Sequence, residues 1–87
     1  MTGGKVERMS GADMVELDVI GENCPMPLLK AKRALNAMHK GQQLKVLATD
    51  RGSLRDFQVF AQQSGNILLS SQEEDGVYIH LLMNWKK

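Results

Sequence analysis

The chain reads as an α/β (α+β) two-layer sandwich of order βαβαββ, a four-stranded mixed sheet with two helices on one face. Three observations predict it. Val15-Glu16-Leu17-Asp18-Val19 alternates apolar and polar residues, and Leu44, Val46 and Ala48 alternate against Lys45, Leu47 and Thr49, both as half-buried strands do. Between them Leu28, Ala31, Leu35 and Met38 recur at helical spacing. After a second amphipathic stretch, two more strand-like runs flank Glu73-Glu74-Asp75-Gly76, whose Asp-Gly pair is a hairpin signal.

In chain order, residues 1–13 combine three glycines with polar residues and no period, and read as a flexible N-terminal tail. Residues 14–87 form the single domain that an 87-residue chain has room for. The opening strand runs from Met14 to Ile20 and stops at Gly21. The following helix is predicted from Pro25 to His39. Pro25 stands at its first position, where a missing N–H is no loss, and Gly41 is the stop signal. The next strand, Leu44 to Thr49, completes a βαβ unit, so these two strands should be parallel with a right-handed crossover.

The second helix begins at Ser53, read as its N-cap, with Asp56 near the positive end of the helix dipole. Leu54, Phe57, Phe60 and Ala61 make its buried stripe, and Gly65 or Asn66 ends it in a left-handed conformation. The last two strands are Ile67 to Gln72 and Val77 to Met83. Val77, Ile79, Leu81 and Met83 are expected to face the helices. Tyr78, His80 and Leu82 would then share the open face with Leu47 and Leu68, and His80 lies too far along its strand to pair with Cys24.

The chemistry centres on Gly21-Glu22-Asn23-Cys24-Pro25-Met26-Pro27-Leu28-Leu29-Lys30, which holds the one cysteine at a strand-to-helix junction. A single cysteine in a small domain is commonly an inert, buried apolar side chain. This one lies between polar Glu22-Asn23 and a proline, in a connection rather than an apolar run, which favours a functional thiol. The N–H groups of Met26 and Leu28 and the helix dipole are expected to lower its pKa, against any burial by apolar neighbours. Cys24 and the Asp50-Arg51-Gly52-Ser53 turn both fall beyond the C-terminal ends of the parallel strands, where reaction sites of such sheets lie.

Composition narrows the classes. A net charge of +1 with 24% charged residues makes no case for direct nucleic-acid or membrane binding. The exposed side of the first helix, with Lys30, Lys32, Arg33, Asn36 and Lys40, reads as a solvated face or as a docking surface for acidic proteins or RNA. One cysteine cannot form an internal disulfide, and no apolar run has the length of a signal-peptide core or membrane span, so a cytoplasmic setting is expected. Cys24, His39 and His80 give no metal-ligand spacing, and no metal or other cofactor is expected.

The Cys24-Pro25-Met26-Pro27 motif, preceded by Leu17-Asp18 and Gly21 and followed by Leu28-Leu29-Lys30-Ala31-Lys32, resembles that of the TusA-like, or SirA-like, sulfur carrier proteins. Ala48-Thr49-Asp50, Asp56 and Phe60 add to a match over roughly residues 14–84. The resemblance implies a sandwich whose cysteine accepts sulfane sulfur as a persulfide and relays it, as in tRNA thiolation or sulfur metabolism. The donor would be a cysteine desulfurase or rhodanese-like protein, and the acceptor a downstream protein. Cys24 would accept the sulfur, Pro25, Pro27 and Asp50 would support it, and Lys30, Arg33 and Arg51 would dock partners. Arg51 stands where many relatives have proline, and Asn66 where histidine is frequent. Such a protein is a sulfurtransferase-like carrier rather than a multiple-turnover enzyme on its own. Two rivals stay open: an RNA-binding or regulatory module of the same fold, and a single-thiol redox sensor.

Overall fold

The computed structural model describes residues 5–8 and 14–85. Its elements are β1 (Lys5–Arg8), β2 (Met14–Val19), α1 (Met26–Asn36), β3 (Gln43–Ala48), α2 (Ser53–Ser64), β4 (Ile67–Glu74) and β5 (Val77–Met83). The strands lie in the order β1-β2-β3-β5-β4. β2 and β3 are parallel and the other neighbours antiparallel, so β2 to β5 form the expected four-stranded mixed sheet.

β1 is an addition to that sheet. It pairs with β2 from Lys5 opposite Asp18 to Arg8 opposite Val15, inside the stretch expected to be a tail. Four residues with one valine carry no period to read, and main-chain pairing needs only an open strand edge such as β2 offers. The rest of that stretch, 1–4 and 9–13, lies outside the described residues, as do 86 and 87.

The two layers meet in one apolar core. Val15, Leu17 and Val19 of β2, Leu44, Val46 and Ala48 of β3 and Leu82 of β5 are buried against Ala31 and Leu35 of α1 and Phe57 of α2. Replacing Phe57 with Ala would cost about 3–5 kcal/mol for a ring so enclosed.

Helix ends depart from expectation by a turn or less, for visible reasons. α1 starts at Met26, with Pro25 as its N-cap and Pro27 in its first turn. It stops at Asn36, three residues short of His39. The chain tightens there, with Ala37 N–H donating to Ala34 O and Met38 N–H to Leu35 O. The buried Asn84 donates its side-chain amide to the carbonyls of Leu35 and Met38, both at 2.8 Å, and so caps the helix from the end of β5. α2 has Gly52, not Ser53, at its N-cap. At its other end Gly65 takes the left-handed conformation, φ 88°. Asp75 (φ 52°) and Gly76 (φ 83°) form the two-residue turn between β4 and β5, with both φ positive as a type I′ hairpin requires.

β5 is inverted relative to the expected facing. Val46 lies opposite His80 and Leu44 opposite Leu82, so these β5 residues share the helix-facing side of β3. His80 and Leu82 are fully buried, while Val77, Ile79, Leu81 and Met83 are half-buried on the side left open. Leu47 does lie there, opposite Ile79, but Leu68 pairs with Leu82 and packs on the core. Counting apolar side chains picks the wrong face because a histidine occupies a core position.

That position satisfies the imidazole completely. His80 Nε2 lies 2.9 Å from Ser53 Oγ and Nδ1 lies 2.8 Å from Ser71 Oγ, with the Phe57 ring at 4.7 Å and Tyr78 stacked at 6.3 Å. Burial disfavours the cation and lowers the pKa from 6.5 to about 4. Between those values the unfolded chain binds a proton that the folded chain refuses, so stability is fully present above about pH 6.5 and is lost as pH falls toward 4. The shift corresponds to roughly 3 kcal/mol. Urea unfolding at pH 7.5 and 4.5 should show this loss, and His80→Gln should be weaker at pH 7.5 and flatter across the interval.

Candidate functional site

Two connections leave the same edge of the sheet, one from the C-terminal end of β2 and one from that of β3. In the first, Ile20 N–H donates to Asp18 Oδ1 (3.0 Å) and Glu22 N–H to Val19 O (3.1 Å), while Gly21 turns with φ 86°. Gly21 N–H donates across to Thr49 Oγ1 at 2.8 Å, so the end of β3 holds the loop that carries Cys24. Met26 N–H to Asn23 O and Leu29 N–H to Pro25 O close the loop onto α1, with a cis bond between Cys24 and Pro25. In the second connection, Asp50 O accepts from Ser53 N–H and Asp50 Oδ1 from Gly52 N–H, which turns the chain into α2. The Ser53–His80 bond ties the first turn of α2 to β5.

The two connections meet at the sulfur. Cys24 is exposed, and its Sγ donates to Asp56 Oδ2 in the first turn of α2 at 3.3 Å. Asp50 contributes a second carboxylate: one ligand atom each from Cys24, Asp50 and Asp56 lies within 4.8 Å of the others. Asp50 Oδ2 is buried without a hydrogen-bond partner among the described residues.

This arrangement reverses the electrostatic expectation. Cys24 stands just before the N-cap, and its hydrogen bond runs to a carboxylate on the other helix. That bond stabilises the thiol over the thiolate, and partial desolvation and the charges of Asp56 and Asp50 act the same way, so the pKa is raised, not lowered. The resting site holds a neutral, solvent-facing thiol with a proton acceptor in contact. Cys24, Asp50 and Asp56 are also the group among the described residues that could hold a metal ion. Two carboxylates and one sulfur differ from the cysteine and histidine sets of structural zinc.

The other sequence-derived residues fall in several places. Pro25 is exposed beside Cys24, whereas Pro27 is buried in the first turn of α1. Arg51 is exposed on the rim, one residue after Asp50. Lys30 turns inward: it is 8% exposed and ion-paired with Glu22, which removes it from any docking face. Arg33 is exposed but sits in the last turn of α1, about 10 Å along the axis from its start. Asp56 and Ser53 acquire roles that helix propensity alone does not assign. The signal for Asp56 was its place in the first turn of a helix leaving the same sheet edge as Cys24. Ile20, Met26, Leu29 and Leu54 add a rim of large exposed apolar side chains from the same edge.

Replacing Asp56 with Asn removes the largest contribution to the raised pKa. The pH midpoint of Cys24 alkylation by iodoacetamide should therefore fall in Asp56→Asn and, by less, in Asp50→Asn, with the fold unchanged by circular dichroism.

Comparison with known proteins agrees with the site. The profile of the family described as Sulfurtransferase TusA matches residues 15–83. The sulfur carrier protein TusA of Allochromatium vinosum is 55% identical over 67 residues, which cover 77% of this chain and 88% of that protein. The crystal structure of a SirA-like protein from Desulfitobacterium hafniense superposes with a TM-score of 0.73 at 27% identity, over 84% of this chain and 99% of that one. With a match across nearly the whole described domain, the chain belongs to the TusA family.

Proposed function

We propose that this chain is a sulfur carrier that accepts sulfane sulfur on Cys24 as a persulfide and passes it to a partner protein. The observation that carries the reading is an exposed, single thiol at the sheet edge, in hydrogen-bond contact with a carboxylate able to take its proton. The similarity to a named sulfur carrier supports it.

The step balances without an added oxidant. Asp56 accepts the Cys24 proton as Sγ attacks the outer sulfur of a donor persulfide. A new S–S bond forms to Cys24, the donor's S–S bond breaks, and the donor sulfur leaves as a thiolate that recovers the proton. The cargo then stands one S–S bond, about 2 Å, from Sγ. Delivery runs the same exchange toward an acceptor.

Specific features favour this reading over its rivals. A thiol held protonated by Asp56 and Asp50 is poorly suited to sensing peroxide, since susceptibility follows thiolate character. Two carboxylates beside the thiol are equally unsuited to a nucleic-acid phosphate. No helix among the described residues is long and apolar enough to cross a membrane. The reading places the protein in the reducing cytoplasm, with donor and acceptor proteins as its partners.

Intact mass spectrometry after incubation with a cysteine desulfurase and cysteine tests it. The protein should gain one sulfur atom, reversibly with reductant and not in Cys24→Ser. No gain from a desulfurase or a rhodanese-like donor would overturn the reading.

A further inference from the structure

His80 grips α2 at two points one turn apart. Its Nε2 lies 2.9 Å from Ser53 Oγ, and its ring packs 4.7 Å from that of Phe57. Ser53 and Phe57 are i and i+4 neighbours, so they share the inward side of the helix, and both are buried along with His80. The N-cap, Gly52, offers no side chain, which leaves Ser53 as the side-chain anchor where α2 begins. The imidazole is held in turn from β4, with Nδ1 2.8 Å from Ser71 Oγ. A ring bonded at both nitrogens has one orientation, and α2 is fastened to it.

Asp56 lies between the two gripped residues in sequence. It projects about 100° around the helix axis from Phe57, out of the core and toward the loop that enters α1. There its Oδ2 accepts from Cys24 Sγ at 3.3 Å. That contact is sensitive to rotation of the helix. A carboxylate stands about 5 Å from the axis, so a turn of about 20° displaces it by about 2 Å, enough to break the bond. Apolar packing is non-directional and resists such a turn weakly, whereas a hydrogen bond to Ser53 fixes it.

We propose, building on the carrier reading, that His80 is a positioning residue for the sulfur step, setting the rotation of α2 so that Asp56 meets the Cys24 thiol. An apolar ring would fill the same space in the core. What the imidazole adds is the bond to Ser53, and through it the place of the acid beside the sulfur.

Iodoacetamide alkylation of Cys24 in the full chain, followed across pH with the imidazole neutral throughout, tests this. His80→Phe keeps a ring against Phe57 and loses both serine bonds. Its alkylation midpoint should fall by at least half the fall that Asp56→Asn produces, because Asp56 no longer accepts from the thiol. Added to Asp56→Asn, His80→Phe should lower the midpoint no further, since the two changes act through one contact. Ser53→Ala removes the α2 end of the bond and should shift the midpoint in the same direction, and it takes the place of His80→Phe if circular dichroism shows that variant unfolded. His80→Gln, whose amide can bond Ser53, should restore most of the wild-type midpoint. The pH midpoint of sulfur uptake from glutathione persulfide, read by intact mass spectrometry, should move with that of alkylation. Unchanged midpoints in folded His80→Phe and Ser53→Ala would make His80 a core residue and nothing more. An equal fall with and without the Asp56 carboxylate would show that it acts elsewhere, and either result overturns the proposal. Wild-type protein that takes no sulfur from the persulfide overturns the carrier reading instead, and the alkylation midpoints still decide whether His80 holds Asp56 in place.

Discussion

The hydrogen bond from the Cys24 thiol to the Asp56 carboxylate is the contact on which the functional architecture depends. It joins the loop that enters α1 to the first turn of α2 across 32 residues of sequence, and only because β2 and β3 are parallel do those two segments leave the same edge of the sheet. An antiparallel pair would send one turn to the opposite end. Through this bond the fold decides the resting state of the sulfur: protonated, in contact with an acceptor, and facing solvent.

Holding Asp56 at that distance falls to groups far from the solvent edge. The Ser53 hydroxyl is one turn back from Asp56, and it is fixed by His80, which is fixed in turn by Ser71 of β4. A polar chain across α2, β5 and β4 therefore positions the acid opposite the sulfur, at the cost of placing an imidazole in the core. On the other side, Thr49 holds the loop at Gly21 and Asn84 closes the far end of α1. The acid thus rests on buried and half-buried hydrogen bonds and the loop of the sulfur on the exposed Gly21–Thr49 bond, while the sulfur stays open to another protein. Steadiness beneath and access above are what a group that meets two partners in turn requires.

Much of this was legible in the residues. The period-two runs of β2 and β3, the helical recurrence from Leu28 to Leu35, Gly65 and the Asp75-Gly76 turn each name their element, because each is dictated by local geometry and by one buried side. The thiol's place at the sheet edge followed from the βαβ unit. What escaped was set by pairing and not by local pattern. β1 needs only a free strand edge. The facing of β5 turns on register with β3, and the favourable-looking row of Val77, Ile79, Leu81 and Met83 yields to His80 and Leu82 because two serines satisfy the imidazole. Lys30 lies on the inward side of α1, where Glu22 neutralises it. The shift of the Cys24 pKa came out with the opposite sign, since the dipole of its own helix was visible in the sequence and the carboxylate facing it from α2 was not.

The measurement that bears most directly on the central claim is a carbon-13 NMR titration of the Asp56 carboxyl in the wild-type protein and in Cys24→Ser. If the Cys24 thiol donates its proton to Asp56 as the geometry requires, the Asp56 resonance in the wild type shifts at high pH in step with ionisation of Cys24. That high-pH shift is absent from the variant. An Asp56 resonance that stays flat while Cys24 ionises would contradict the account.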